Sequence, residues 1–254
     1  MKEWFCVEEI DEQTFAISEY RHWEETHCYL LLGSDRALLV DTGLGVSSIR
    51  PIVETLTSLP VIVALTHAHW DHIGGLSEFS NVMVQEEEAV WISERFPLPL
   101  AVVKQNLMKE PCEFPDGFKE DAYQLYQGIP SRILKDNDTI DLGNRWVTAI
   151  HTPGHSPGHL CFFEKISGYL FSGDLIYAGC LDAFYPTTDP KKFKDSLHKV
   201  ENLDIVRILP GHHSLRIDKE LLKRITKAFD ELDEQDLLWQ GAGYYSYGDF
   251  SIHL

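Results

Sequence analysis

Positive charge is the scarcest resource of this sequence. Its 254 residues hold 22 Lys and Arg against 40 Asp and Glu, a net charge of −18. A field of that sign repels nucleic-acid phosphates and anionic membrane surfaces, so neither is expected as a partner. Long apolar runs are missing as well, and nothing approaches the roughly 18 consecutive apolar residues of a membrane span. The opening MKEWFCVEEIDE is acidic and has no apolar stretch of signal-peptide length. The five cysteines (Cys6, Cys28, Cys112, Cys161, Cys180) are odd in number and contain no CxxC pair. That argues against a thiolate metal knuckle and a disulfide framework, and for buried free thiols in a reducing cytoplasm. No low-complexity linker or literal repeat marks a boundary. With 44% hydrophobic residues, a chain of this length can bury one large core, and a single α/β domain over 1–254 is expected.

What is present is a rhythm of short apolar strands ending in polar turns. CYLLL (28–32) and ALLV (37–40) flank Gly33-Ser34-Asp35-Arg36, a hairpin connection, and Asp41-Thr42-Gly43 stops the second strand. Ile49, Ile52, Val53 and Leu56 have helical spacing within 47–59, and Pro60 ends that helix. VIVAL (61–65) reads as a strand buried on both faces. The stretch 86–126 is interrupted by Pro97, Pro99, Pro111 and Pro115, and reads either as an insertion or lid or as ordinary peripheral packing. The rhythm returns from Asp138 in IDLG, RWVTAIHT, HLCFFE and YLFSGD. A C-terminal helix with Leu221, Leu222, Ile225, Phe229 and Leu232 on one side, followed by a Gly- and Tyr-rich tail, occupies 219–254.

The chemistry concentrates in His67-Ala68-His69-Trp70-Asp71-His72, directly after VIVAL. Imidazoles and carboxylates are the usual donors to zinc and related cations. In an extended segment His67, His69 and Asp71 share a face, and His72 falls where a helix would begin. One histidine alone is more often a hydrogen-bonded core residue, but three around an aspartate are not. Three further strands each feed a Gly-containing turn that presents one such donor: His155 in TPGH, Asp174 in SGD and His212 in PGH.

These segments resemble the motifs of the metallo-β-lactamase superfamily. THAHWDH is similar to its HxHxDH signature, and LVDTG before it and TPGHSPGH, FSGD and LPGH after it look like its other motifs in their usual order. The resemblance implies a four-layer αββα sandwich, two mixed β-sheets flanked by helices. It also implies two divalent metal ions, most simply Zn2+ with Fe or Mn as alternatives. His67, His69 and His155 would hold one, Asp71, His72 and His212 the other, and Asp174 would bridge them. Asp41 would orient the site, Asp71 would also take up a proton, and His151 and His159 would be structural or supporting. His213 competes with His212, but the PGH pattern favours the latter.

A metal pair of this kind turns water into a hydroxide held between the ions, so no Ser or Cys nucleophile is needed. The expected activity is hydrolysis of a small carbonyl ester, thioester or lactone. Phosphodiester hydrolysis on the same pair, β-lactam hydrolysis and a non-catalytic metal-binding role are the alternatives. Asp174 speaks against a β-lactamase, and the acidic charge against a nuclease. The metal motifs look like those of glyoxalase II. Only 42 residues follow His212, however, too few for the larger helical domain of that enzyme. Tyr177 resembles the tyrosine with which acyl-homoserine lactone lactonases contact the substrate carbonyl, a candidate oxyanion donor. GDLIYAGCLDAFYP keeps acyl-CoA-type thioesters in view. Lys191, Lys192 and Lys194 read as a solvated helix start.

Overall fold

Alternation of apolar runs and turns resolves into two compact units, one extending to Leu134 and including Asp141–Arg145, the other formed by Lys135–Ile140 and Trp146–Leu254. The structure, a computed structural model, describes residues 3–254.

The first unit is built on a seven-stranded sheet: β1 (Cys6–Asp11), β2 (Thr14–Ser18), β3 (His27–Leu32), β4 (Ala37–Val40), β5 (Val61–Ala64), β6 (Val82–Gln85) and β7 (Arg132–Leu134), side by side in chain order. The first four strands form an antiparallel meander, and β4 to β7 are parallel. At the expected hairpin, the Gly33 amide donates to Arg36 O at 3.1 Å. β4 is buried along its whole length, as its unbroken apolar sequence requires. At the sheet's margin, β1 carries three acidic residues in CVEEID, a sequence that discourages further strand pairing.

Parallel strands need crossovers, and helices supply them. α1 (Arg50–Leu56) is shorter than the expected 47–59. Thr57 is extended at its C-terminal end, and the Ser48 hydroxyl and Arg50 amide at its start donate to Glu78. After β6 come α2 (Glu86–Ser93) and α3 (Leu100–Leu107), then a 3-10 turn at Glu120–Ala122. Ile92, Phe96, Val103, Leu107 and Tyr123 from this stretch join the same core as Ile17, Leu30, Leu39 and Val63. Its prolines separate short helices whose apolar sides pack inward.

The second unit holds a five-stranded sheet of β8 (Thr139–Asp141), β9 (Trp146–His151), β10 (Leu160–Glu164), β11 (Tyr169–Gly173) and β13 (Arg207–Pro210), in the order β13-β11-β10-β9-β8. β12 (Cys180–Asp182) leaves this sheet and pairs with the tail strands β14 (Tyr244–Ser246) and β15 (Ser251–His253) in a third sheet, ordered β12-β15-β14. The tail strands are too short for a two-residue periodicity to be visible in the sequence. α4 (Pro190–Glu201) is capped by the Asp189 carboxylate, which accepts from the Lys191 and Lys192 amides, with Pro190 opening the first turn. α5 (Glu220–Glu234) packs on α4 through stacked rings of Phe193 and Phe229, centroids 4.8 Å apart.

All five thiols are free, but only Cys28 and Cys161 are buried, one in the core of each unit. Burial pushes the Cys161 thiol up to about 12 and Cys28 well above the ordinary range. Cys6 is exposed, and Cys112 and Cys180 are half-buried, so burial accounts for two of the five rather than all. Among the described residues no helix is long and apolar enough to cross a membrane.

Candidate metal centre

Because β4, β5 and β6 run parallel, their carboxyl ends lie along one edge of the first sheet, the usual place for a site in such a sheet. β4 delivers Asp41 there and β5 delivers Thr66 and His67. Asp41 adopts φ +61°, a left-handed conformation that Asp tolerates better than most residues. That turn aims its carboxylate at three donors: the Thr66 amide and hydroxyl, each at 2.7 Å, and His72 Nδ1 at 2.9 Å. A carboxylate accepting the Nδ1 proton leaves the Nε2 lone pair of His72 as its donor to a metal, and Nε2 lies 3.4 Å from Asp71 Oδ2.

Residues 67–72 are not a strand, and no helix begins at His72. The chain turns instead, with the His72 amide donating to His69 O at 3.0 Å, and only a 3-10 turn follows at Leu76–Glu78. The turn folds the donors together more tightly than an extended segment would. The rings of His67 and His69 have centroids 4.5 Å apart and those of His67 and His72 4.2 Å apart. Single ligand atoms of His67 and His69, of His67 and His72, and of Asp71 and His72 come within 4.8 Å of one another. Thr42 ties the turn down through its amide and hydroxyl, both donating to His72 O at 2.8 and 3.0 Å. Gly74 must be glycine, since a Cβ would lie 2.2 Å from the carbonyl carbon of Leu44.

The second unit presents its donors differently. β10 is antiparallel to both β9 and β11, and β11 is parallel to β13, so β9, β11 and β13 all point the same way. Their carboxyl ends deliver His155, Asp174 and His212. Asp174 Oδ2 lies 3.3 Å from His155 Nε2 and 3.2 Å from His212 Nε2. All three residues are buried. A Cβ on Gly211 would come within 2.7 Å of Asp174 Oδ1, which explains the glycine before His212. His159 supports this arrangement: its Nε2 accepts from the Asp174 amide at 3.1 Å, and its Nδ1 meets Thr152 Oγ1 at 2.9 Å. His151 Nε2 faces Pro157 O, a loop contact. His213 is half-buried at φ +64°.

Tyr177 is buried, its ring edge-on to His212 with centroids 5.5 Å apart. Its hydroxyl donates to the Cys180 carbonyl. The phenol proton is therefore directed to the protein's own backbone in this structure.

Some buried acids carry no sequence signal, Glu19 among them. Glu19, just past β2, accepts from the Trp4 indole at 2.6 Å and from the Leu44 amide at 2.8 Å. Burial, with a contribution from the Asp71 charge, raises its carboxyl to about 7 even though both hydrogen bonds pull the other way. Nothing in its sequence context distinguishes it from the other acidic residues.

Imidazoles and carboxylates converging in each unit, buried except for the half-buried His69, are a donor set suited to first-row divalent cations. The His/Asp groups could hold a metal. The sequence profile described as the metallo-beta-lactamase superfamily matches residues 22–212. The human acyl-coenzyme A thioesterase MBLAC2 is 30% identical over 230 residues, covering 83% of this chain and 81% of that protein. A hydroxyacylglutathione hydrolase of Salmonella paratyphi A is 27% identical over 182 residues, 71% of this chain and 59% of that enzyme. In fold, the chain is similar to a metallo-beta-lactamase from Pontibacter korlensis, with TM-score 0.65 at 16% identity over 89% of this chain and 99% of that one. It is also similar to an archaeal superfamily protein from Sulfolobus tokodaii, with TM-score 0.61 at 21% identity over 85% of each. Motif order, profile and fold agree: the chain belongs to the metallo-β-lactamase superfamily.

Proposed function

We propose that this protein is a metal-dependent thioester hydrolase acting on acyl-coenzyme A-type substrates. The observation that carries the substrate class is the similarity to the human acyl-coenzyme A thioesterase over most of both chains. The hydroxyacylglutathione hydrolase supports it, since that substrate too is an acyl group on sulfur. In this reading the His and Asp donors serve two divalent cations, with zinc the first choice. His67, His69 and His155 would hold one cation, Asp71, His72 and His212 the other, and Asp174 would be shared between them. When bound, such a pair supplies an activated water and polarises the substrate carbonyl.

The protein's own contribution is positional. Asp41 fixes the tautomer and ring plane of His72, the Thr42 contacts hold the turn, and His159 holds the Asp174 backbone. Asp71, whose Oδ2 lies 3.4 Å from His72 Nε2, would take up a proton in the same reading. Tyr177, the candidate donor to a substrate carbonyl, has its hydroxyl on Cys180 O in this structure.

The test is a substrate panel on metal-replete protein: acyl-coenzyme A and acyl-glutathione thioesters, a lactone, and a bis-aryl phosphodiester, each with and without chelator. The expected outcome is preferential, chelator-sensitive thioester cleavage with about two metal ions per chain. A phosphodiester turned over faster than every thioester would defeat the proposal.

A further inference from the structure

The parallel arrangement that places Asp41 and His67 at one sheet edge has a third member. β6 is the next parallel strand, so α2, which starts directly after it, begins at that same edge. Its residue Glu88 is completely buried, an uncommon state for a carboxyl group. Glu88 Oε2 accepts a hydrogen bond from the Ala68 amide at 2.9 Å. Ala68 lies between His67 and His69, so this bond fixes the peptide that joins the two imidazoles. Trp91 follows Glu88 by three residues, the spacing that puts two side chains on one helix face. Its indole lies parallel to the His69 imidazole, with a 5° interplanar angle and centroids 5.9 Å apart, an offset stack. One helix thus grips the motif twice, at the backbone between the histidines and at the face of the second ring.

We propose that α2 is the positioning element for the His67–His69 pair: Glu88 pins the intervening peptide, Trp91 sets the His69 ring plane, and Trp91 therefore reports cation binding at that ring. This rests on the metal-site reading above, but it assigns the task to a helix lying outside every motif that carried the resemblance. The grip acts on orientation, so its loss weakens metal binding while leaving the ligands in place. Replacing partners that orient ligands typically costs about 10–100-fold in metal affinity.

The experiment uses full-length, chelator-stripped protein titrated with Co2+, following visible absorption for binding and tryptophan emission for quenching. The chain has six tryptophans, Trp70 in the motif among them, so the signal of Trp91 is the difference between wild type and Trp91→Phe. Glu88→Leu removes the acceptor and should weaken Co2+ binding about 10–100-fold. Glu88→Gln keeps an oxygen that can accept from Ala68, and should stay close to wild type. Trp91→Phe should bind severalfold more weakly and lose a distinct part of the quench. Circular dichroism checks that each variant is folded. If Glu88→Leu does not fold, the Trp91→Phe quench and affinity decide the matter alone. Wild-type affinity in Trp91→Phe with an undiminished quench would overturn the proposal, as would a folded Glu88→Leu that binds normally. A wild-type protein that binds no Co2+ would overturn the metal reading as well, whereas normal wild-type binding with indifferent variants would overturn only the role of α2.

Discussion

The two donor clusters reach similar chemistry by opposite routes. In the first unit four donors fall within six consecutive residues, and one turn fixed by Asp41 and Thr42 sets their mutual geometry. In the second unit His155, Asp174 and His212 come from three strand ends far apart in the sequence, and they meet only if β9, β11 and β13 hold their register. A slip of one residue reverses every side chain on a strand, so the second cluster is as exact as its sheet. The first cluster is local and depends on its turn. The comparison teaches that sensitivity to substitution should differ: a supporting residue matters most in the first cluster, and the donor that both neighbours share matters most in the second.

The largest effect expected is therefore from Asp174→Ala, which removes the carboxylate that lies within 3.3 Å of both histidines of its unit. Metal content should fall and kcat/KM should drop by more than the roughly 100-fold upper end for outer positions. Asp41→Asn should cost less, about 10–100-fold in metal affinity, because the ligands themselves remain. Elemental analysis and kinetics on the pair would reverse the comparison if Asp41→Asn proved the more damaging.

Next comes a pH effect confined to the first unit. Glu19 has its carboxyl raised by burial to about 7, against 4.5 when unperturbed. Between those values the unfolded chain has released a proton that the folded protein retains, so stability must fall as pH rises through this window and level off above about 7. The contribution is on the order of 3 kcal/mol. Glu19→Gln should flatten that slope relative to wild type in chelator-treated protein, measured by denaturant unfolding from pH 4.5 to 8. Parallel slopes would show that the carboxyl ionises normally in the fold.

The smallest effect belongs to the second unit. Tyr177→Phe deletes the hydrogen bond to Cys180 O and should cost about 1 kcal/mol of stability. Turnover should change less than about tenfold, short of the 10²–10³ typical of a lost oxyanion donor. A loss in that larger range, with stability unchanged, would return Tyr177 to the chemistry.

Much of this was legible before any coordinates. ALLV is β4 to the residue, VIVAL contains β5, and the three later donors sit at the ends of β9, β11 and β13 because Gly-containing turns stop apolar strands. Clustered His and Asp after an apolar run carry a strong signal because such residues have little other reason to be there. Glu19 and Glu88 carried none: they are two acids among 40, and only their burial distinguishes them. The tail strands were hidden by their three-residue length. The turn at His72 reads as a helix start in the sequence, because local spacing does not register the long-range bonds from Thr42 that shape it.

The two buried thiols turn this division into something that can be timed. Cys28 and Cys161 each lie in a different core, and each is held so far toward the protonated form that reagents for thiolates meet them only when the surrounding core opens. Pulse alkylation followed by peptide mass spectrometry would thus read the opening rate of each unit separately, in one sample and without added probes. Equal labelling rates would mean that both halves open as one cooperative block. Unequal rates would rank them as separate foldons and identify which cluster is dismantled first.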